Sequence, residues 1–291
     1  MKKIAIYGQF VHDNALSTVQ SIIIAFVKES CEVRIESEFY EMLEGIELPE
    51  SVAVFDQLDP QFDMLISIGG DGTILRAVAY IGQLDIPILG VNTGRLGFLA
   101  TVQQDEIDKA VQHVIQGKYS LTKRTLITAT SNHPKNHLAP NNFAVNEVTV
   151  SRMNTTSMIQ IETHLNDELL TSYWADGLII STPTGSTGYS LSCGGPVISP
   201  DTDAFVITPI APHNLNARPL VIPDHTTIKI KVVGREDEFL ASLDNRIASY
   251  PNGTEITLKK ADFTIDLIEL HDQSFIKTLR HKLLWGEDKR N

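Results

Sequence analysis

Met64-Leu65-Ile66-Ser67-Ile68 runs straight into Gly69-Gly70-Asp71-Gly72-Thr73, and Ile74 to Ile81 continues at helical spacing before Pro87-Ile88-Leu89-Gly90-Val91. A short apolar run stopped by glycines reads as a strand buried on both faces. Strand, glycine loop, helix and strand in that order make a parallel crossover unit. The loop of such a unit lies at the C-terminal edge of the sheet, where open α/β folds bind ligands. Upstream, Lys3 to Tyr7 and Glu32 to Ile35 read as further strands. Thr18 to Lys28 reads as a helix, with Val19, Ile22, Ile23, Phe26 and Val27 at helical spacing.

From about residue 120 the texture changes to short stretches rich in Val, Ile and Thr, each bounded by Asn, Asp, Gly or Pro. They are Arg124 to Thr130, Glu147 to Ser151, Ser157 to Leu165, Gly177 to Ser181, Thr226 to Val233, Glu238 to Ser242 and Glu255 to Lys260. That pattern predicts an antiparallel β domain. Ser274 to Trp285 returns to helical spacing through Phe275, Leu279 and Leu283-Leu284, and is expected to pack back on the N-terminal part. The expected fold is therefore an α/β N-terminal domain over residues 1–100, completed by about 270–291. A β-rich, β-sandwich-like domain over 101–269 stands between these segments. The 291 residues, 42% of them apolar, are enough for two real cores.

Acidic residues outnumber basic ones, 36 to 24, for a formal charge of −12. Nucleic acid is held chiefly by neutralising its phosphates, so a chain this acidic with no dense basic stripe is not expected to bind it. Met1-Lys2-Lys3 is followed by an apolar run too short for a signal peptide, and no window reaches the roughly 18 apolar residues of a membrane span. Cys31 and Cys193 have neither Cys-x-x-Cys spacing nor neighbouring metal ligands. A reduced, cytoplasmic setting is the simplest expectation.

The chemistry concentrates in two stretches. Around Asp71, the loop residues Gly70, Gly72 and Thr73 let backbone N–H groups approach an anion, and the following helix N-terminus favours negative charge. A carboxylate beside phosphates is repelled unless it binds a metal or accepts a proton, so Asp71 points to a chemical role. Arg76, one helical turn on, has the reach and charge for a phosphate contact. The turn after the first strand, Gly8-Gln9-Phe10-Val11, lacks the dinucleotide fingerprint, and no Gly-Lys-Ser/Thr phosphate loop occurs. The second stretch, Asp176 to Ser192, leads from a strand into a loop dense in hydroxyls and glycines. Its Ser and Thr side chains suit ribose or phosphate oxygens, and Tyr189 suits a flat ring. His133 and His137 are four apart, but Pro134 between them argues for an exposed loop rather than a metal site. No protein metal site is expected.

Together these stretches resemble the NAD kinase family, of the bacterial ATP-using kind. The resemblance extends to Asn92-Thr93-Gly94-Arg95-Leu96-Gly97-Phe98, Asn146-Glu147, Gly194-Gly195-Pro196, Thr208 to His213 and Ala217 to Leu220. It implies transfer of the terminal phosphate of ATP to the 2′-hydroxyl of the adenosine ribose of NAD, giving NADP and ADP. A divalent metal, Mg²⁺, would sit on the nucleotide phosphates. Asp71 matches the catalytic base and Phe98 an aromatic near the adenine. Asn146 and Glu147 match contacts to ribose and adenine, and Asp176 a contact to the dinucleotide. Thr184 and the run Thr187, Gly188, Tyr189, Ser190, Leu191 and Ser192 match the hydroxyl loop along it. Ala211 falls in a matched stretch, and Ser157 and Trp174 match positions used at the substrate, often across a subunit contact. Gly188 stands where Ala is usual. In Asp244-Asn245-Arg246 the third residue replaces a common Gln, and Arg246 joins the expected binding set as a side chain that either reaches a ligand phosphate or faces solvent. The resemblance also implies a homodimer or homotetramer, with NAD and ATP as ligands and no membrane partner. A lipid kinase sharing the glycine and Asp loop, or a dinucleotide-binding regulator without turnover, are the alternatives. The first would want a basic or apolar membrane-facing patch that this chain does not display.

Overall fold

The computed structural model describes residues 2–9, 15–43, 45–134, 140–153, 157–235 and 237–285. His137 lies outside them. The chain divides into two compact units, residues 1–123 with 265–291, and residues 124–264.

The first unit begins with β1 (Lys3–Gly8), α1 (Ala15–Lys28), β2 (Glu32–Glu36), α2 (Ser37–Met42) and β3 (Ala53–Phe55). It continues with β4 (Met64–Ile68), α3 (Asp71–Ile81), β5 (Ile88–Val91) and α4 (Ile107–Ile115). The strands are parallel in the order β5, β4, β1, β2, β3. Ile66 faces Ile6 on one side and Leu89 on the other. Every residue of β1, β4 and β5 is buried, which is why these strands read as unbroken apolar runs. From β1 the chain proceeds outward to β2 and β3, and from β4 it proceeds the other way to β5. The C-terminal ends of β1 and β4 therefore flank the topological switch point, the usual ligand position in an open α/β sheet.

On α4, Ile107, Ala110, Val111 and Val114 repeat at one helical face and enter one cluster with Ile22 and Phe26 of α1. Fully burying each large aliphatic side chain of such a face stabilises by roughly 1.5–3 kcal/mol. This packing draws α4 into the first unit, which runs to Lys123.

The second unit is built from β6 (Tyr119–Ser131), β7 (Phe143–Ala144), β8 (Glu147–Arg152), β9 (Ile159–Leu165), β10 (Glu168–Ala175), β11 (Gly177–Ser181), the short α5 (Tyr189–Ser192), β12 (Ala204–Ile210), β13 (Leu220–Pro223), β14 (Ile228–Val233), β15 (Glu238–Leu243), β16 (Arg246–Pro251) and β17 (Glu255–Leu270). The unit boundaries fall within β6 and β17. One sheet of this unit orders β10, β9, β14, β17, with β6 pairing β17 and β7. The other orders β13, β12, β11, β8, β15, β16. On β14, Ile228, Ile230 and Val232 point inward and Lys229 and Lys231 are less buried, the alternation of a half-buried strand. They share one core with Val148, Val150, Phe205, Phe239 and Tyr250 of the other sheet, so the unit is a β-sandwich. The turn from β9 to β10 holds Asn166 and Asp167, both at positive φ (49° and 70°), as a two-residue hairpin of the primed type requires.

Five strands of the second unit lie outside the Val/Ile/Thr-rich runs, the two-residue β7 among them. β10 has polar and exposed positions, β12 carries Pro209 next to its last residue, and β13 and β16 are sheet edges. At the C-terminal end, Leu267 of β17 pairs with Ile88 within the first unit. α6 (Phe275–Leu283) follows, capped by the Ser274 hydroxyl accepting from Lys277 N–H at 3.3 Å. Phe275 packs beside Phe98, with ring centroids 6.5 Å apart.

Candidate active site

In the first unit, β4 delivers the chain to Gly69, whose φ is +148°. A Cβ there would lie 2.3 Å from Thr73 Oγ1, so both conformation and space demand glycine. Gly69→Ala is expected to destabilise the protein by about 1–3 kcal/mol, read as a lower thermal midpoint. At Gly70 and Gly72 a Cβ would meet nothing, so the loop is open on that side. Asp71 is the first residue of α3. The first N–H groups of a helix lack intrahelical acceptors and face an incoming anion.

The Asp71 carboxylate is held by main-chain groups. Its Oδ2 accepts from Phe98 N–H at 2.8 Å, and its Oδ1 accepts from Leu99 and Ala100 N–H, both at 2.9 Å. A carboxylate has about four acceptor positions, so the side chain is fixed while one position on Oδ2 remains for a proton or a hydroxyl. Arg76 donates to Gln9 Oε1, and Gln9 Nε2 donates to Tyr7 Oη at 2.6 Å. These contacts fix the guanidinium beside the end of β1. The Lys282 ammonium lies 5.7 Å from the Phe98 ring centroid.

In the second unit, Asn146 and Glu147 stand at the start of β8. Asn146 Oδ1 and Glu147 Oε2 are buried without a hydrogen-bond partner. Two orphaned acceptors side by side are costly unless a ligand satisfies them, which is what a nucleoside contact would do. Asp244, with a side chain 2% exposed, holds this segment by accepting from Val145 N–H (3.0 Å), Asn146 N–H (2.8 Å) and Glu147 N–H (3.2 Å). Sequence reading noted Asp244 only as part of a motif, and its anchoring role has no local signature.

Burial pushes the Glu147 carboxyl up to about 7, and the Asp244 charge adds to the rise against the Tyr189 backbone N–H. Burial likewise raises Asp244, opposed by its three backbone donors and by Arg246. Burial, and after it the Glu147 charge, raises the Cys193 thiol. Because Glu147 holds its proton more tightly folded than unfolded, its contribution to stability is full below pH 4.5 and is lost as pH rises through about 7. Glu147→Gln is expected to remove that slope, making the ligand-free protein about 2–3 kcal/mol more stable relative to the parent at pH 8 than at pH 4.5. Urea unfolding at the two pH values measures it.

The hydroxyl-rich loop is largely occupied with itself. Thr182 Oγ1 accepts from Gly185 N–H at 3.2 Å and donates to Val145 O. Ser186 Oγ donates to Pro183 O and accepts from Ile198 N–H, and Thr187 Oγ1 donates to Thr184 O. Ser190 is fully buried and shares a hydrogen bond with Thr208, 2.8 Å long, and Thr184 is also buried. Gly185 lies so close to Asn146 that a Cβ would be 2.1 Å from its carbonyl oxygen. This packing brings Asn146, Glu147, Thr184, Thr187 and Gly188 together. A Cβ at Gly188 would come within 3.2 Å of Glu147 Oε2, so glycine leaves that oxygen more room than the usual alanine. Tyr189 and Ser192 are exposed and Leu191 half-buried on the outer turn.

Asp176 pairs with Arg152, 2.9 Å from Nη2 to Oδ2, a partner that sequence reading missed. Ala211, at φ 44°, and its neighbours run beside Trp174 and Asp176, through Asp176 N–H to Ile210 O and His213 N–H to Trp174 O. Trp174 is 48% exposed, and Ser157 is half-buried ahead of β9. The Arg246 guanidinium donates to the carbonyls of Asn141 and Phe143 and lies over the Phe143 ring, which fastens the chain next to Asn146. Among the described residues no group of three or more His, Cys, Asp or Glu could hold a metal ion. No helix among them is long and apolar enough to cross a membrane.

A parallel α/β unit with an acid at its glycine-rich switch-point loop, together with a β-sandwich bearing orphaned buried acceptors, defines a two-unit nucleotide-handling fold. Models of the ATP-NAD kinase N-terminal and C-terminal domains match residues 6–119 and 145–270. The chain is 55% identical to NAD kinase of Christiangramia forsetii over 99% of its length and 100% of the relative, and 43% identical to NAD kinase of Cytophaga hutchinsonii over 99% of both. The chain belongs to the ATP-NAD kinase family. In fold it is similar to yeast NADH kinase solved with NADH (TM-score 0.88, 24% identity, 100% of this chain and 89% of that one). It is also similar to an NAD kinase from Archaeoglobus fulgidus solved with ATP (TM-score 0.76, 23% identity, 97% and 98%).

Proposed function

We propose that this protein is an NAD kinase that moves the terminal phosphoryl group of ATP to the 2′-hydroxyl of the adenosine ribose of NAD. The observation that carries the mechanism is the Asp71 carboxylate, fixed by three backbone N–H groups with one acceptor position left on Oδ2. In this reading the 2′-oxygen forms a bond to the terminal phosphorus while the bond to the ADP oxygen breaks, and Asp71 takes the hydroxyl proton. The N–H groups at Gly70 and Gly72, with Arg76, bind phosphate oxygens and offset their charge, and Thr73, whose own N–H donates to Gly70 O at 3.0 Å, closes the turn beside them. Asn146 Oδ1 and Glu147 Oε2 accept from hydroxyl or amino groups of the acceptor nucleoside, and a protonated Glu147 donates as well. Phe98, Ser157, Trp174, Asp176, Thr184, Thr187 to Ser192, Ala211 and Arg246 complete the binding set.

Mg²⁺ is proposed to arrive on the ATP phosphates, where it offsets their charge. We also propose a cytoplasmic homodimer or homotetramer, consistent with two unpaired cysteines and with the exposed Trp174 and Leu215, brought together where Trp174 N–H donates to Asn214 Oδ1 at 2.8 Å. Incubation with NAD, ATP and Mg²⁺ should yield NADP, detected with an NADP-specific dehydrogenase, and a parallel tube with diacylglycerol should yield no phospholipid. Folded protein that binds NAD but makes no NADP would replace this reading with a regulator. Sedimentation of a fully active monomer would remove the oligomer.

A further inference from the structure

The chain leaves β5 at Val91 and comes back to it. Val102 forms a parallel bridge with Val91, Asn92 N–H donates to Val102 O at 2.7 Å, and Val102 N–H donates to Gly90 O at 3.1 Å. Residues 92–102 thus form a loop closed at its base, and its returning limb supplies all three N–H groups that hold Asp71.

The side chain of Asn92 joins the limbs from within. The residue is 3% exposed. Its Oδ1 accepts from Gly94 N–H at 2.6 Å, and its Nδ2 donates to Arg95 O at 2.6 Å and to Ala100 O at 3.4 Å. Arg95 lies on the outgoing limb, while Ala100 is one of the residues whose N–H meets Asp71. Two close approaches seat the loop. A Cβ on Gly90 would fall 2.8 Å from Ala100 Cα, and one on Gly97 would fall 1.9 Å from Asp71 Oδ1. The loop is packed against the strand beneath it and against the carboxylate it holds, leaving no slack at either glycine.

We infer that Asn92 is a positioning residue for phosphoryl transfer. It touches no reacting atom, but its amide bridges the two limbs and so sets where the N–H groups of Phe98, Leu99 and Ala100 place the Asp71 carboxylate. The inference rests on the reading of Asp71 as the base. An amide is required because the position needs one acceptor for Gly94 and donors for two carbonyls. Aspartate would keep the first bond and set an oxygen against Arg95 O and Ala100 O. Serine would keep a small acceptor and lose the bridge without adding charge.

The test measures kcat and both KM values for Asn92→Asp and Asn92→Ser, each alone and combined with Asp71→Asn, with thermal midpoints recorded. With Asp71 present, kcat should fall about 10²-fold, the scale of an ångström misplacement of a reacting group. KM for NAD and for ATP should stay within roughly twofold, as for an interaction made only in the transition state. In the Asp71→Asn background the second change should cost less than about twofold, because residues acting as one unit are not additive. If Asn92→Asp does not fold, Asn92→Ser carries the test. Parent-like kcat in a folded Asn92→Ser, or the same loss in both backgrounds, overturns the inference while leaving Asp71's role intact. Parent-like kcat in Asp71→Asn alone overturns the base reading and this inference with it.

Discussion

Asp71→Asn should lower kcat by about 10²–10⁴-fold, the range that a positioned general base contributes, while NAD still binds. The asparagine oxygen can keep the two donors from Leu99 and Ala100, and its amide then faces only Phe98 N–H. One mismatched hydrogen bond costs about 1–3 kcal/mol of stability, which a protein of this size survives. The loss should therefore appear in turnover. NADP formation under saturating substrates gives kcat, and titration with NAD in the absence of ATP gives binding. A kcat within tenfold of the parent would mean that Asp71 is not the base and that its carboxylate serves only to hold the loop after β5.

Asp244→Ala should cost about 4 kcal/mol of stability. It strips the acceptor from three N–H groups, each worth about 1–3 kcal/mol when left without a partner, less the relief of no longer burying a carboxylate. In the second unit this corresponds to a fall of roughly 10 °C in its thermal midpoint. Where the variant folds, KM for NAD should rise more than kcat falls, because Asn146 and Glu147 lose the anchor that aims their side chains. Asp244→Asn should be milder, since one oxygen can still serve Asn146 and Glu147. By removing the charge that raises Glu147, it should also move the Glu147 midpoint below its present value of about 7, a shift visible in carboxyl carbon resonances. An Asp244→Ala protein with an unchanged thermal midpoint would contradict the anchoring role.

The parallel sheet was legible because β1, β4 and β5 are buried on both faces and so carry their environment in their composition. The sandwich was legible wherever a strand alternates, as β14 does, and was lost where a strand sits at an edge or holds a proline, as in β13, β16 and β12. The glycine loop declared itself because Gly69 must adopt a positive φ and Thr73 leaves no room for a side chain. The hydroxyl loop was also visible, but its density read as ligand contacts. In the fold much of it closes the loop on itself, through Thr182, Ser186, Thr187 and the buried pair of Ser190 and Thr208.

Residue types and their spacing were enough to define the two-part α/β and β architecture and the glycine loop with Asp71, while the pair Asn146 and Glu147 came from the resemblance to the NAD kinase family. Tertiary structure alone decided what holds them. Asp71 is fixed from 27 to 29 residues away, Asn146 and Glu147 from about a hundred, and Asp176 by Arg152 from 24. In the first two cases the donors are backbone N–H groups, which every residue but proline supplies. A contact made through the main chain leaves no mark on the identity of the donor, so only the path of the folded chain brings it to the carboxylate.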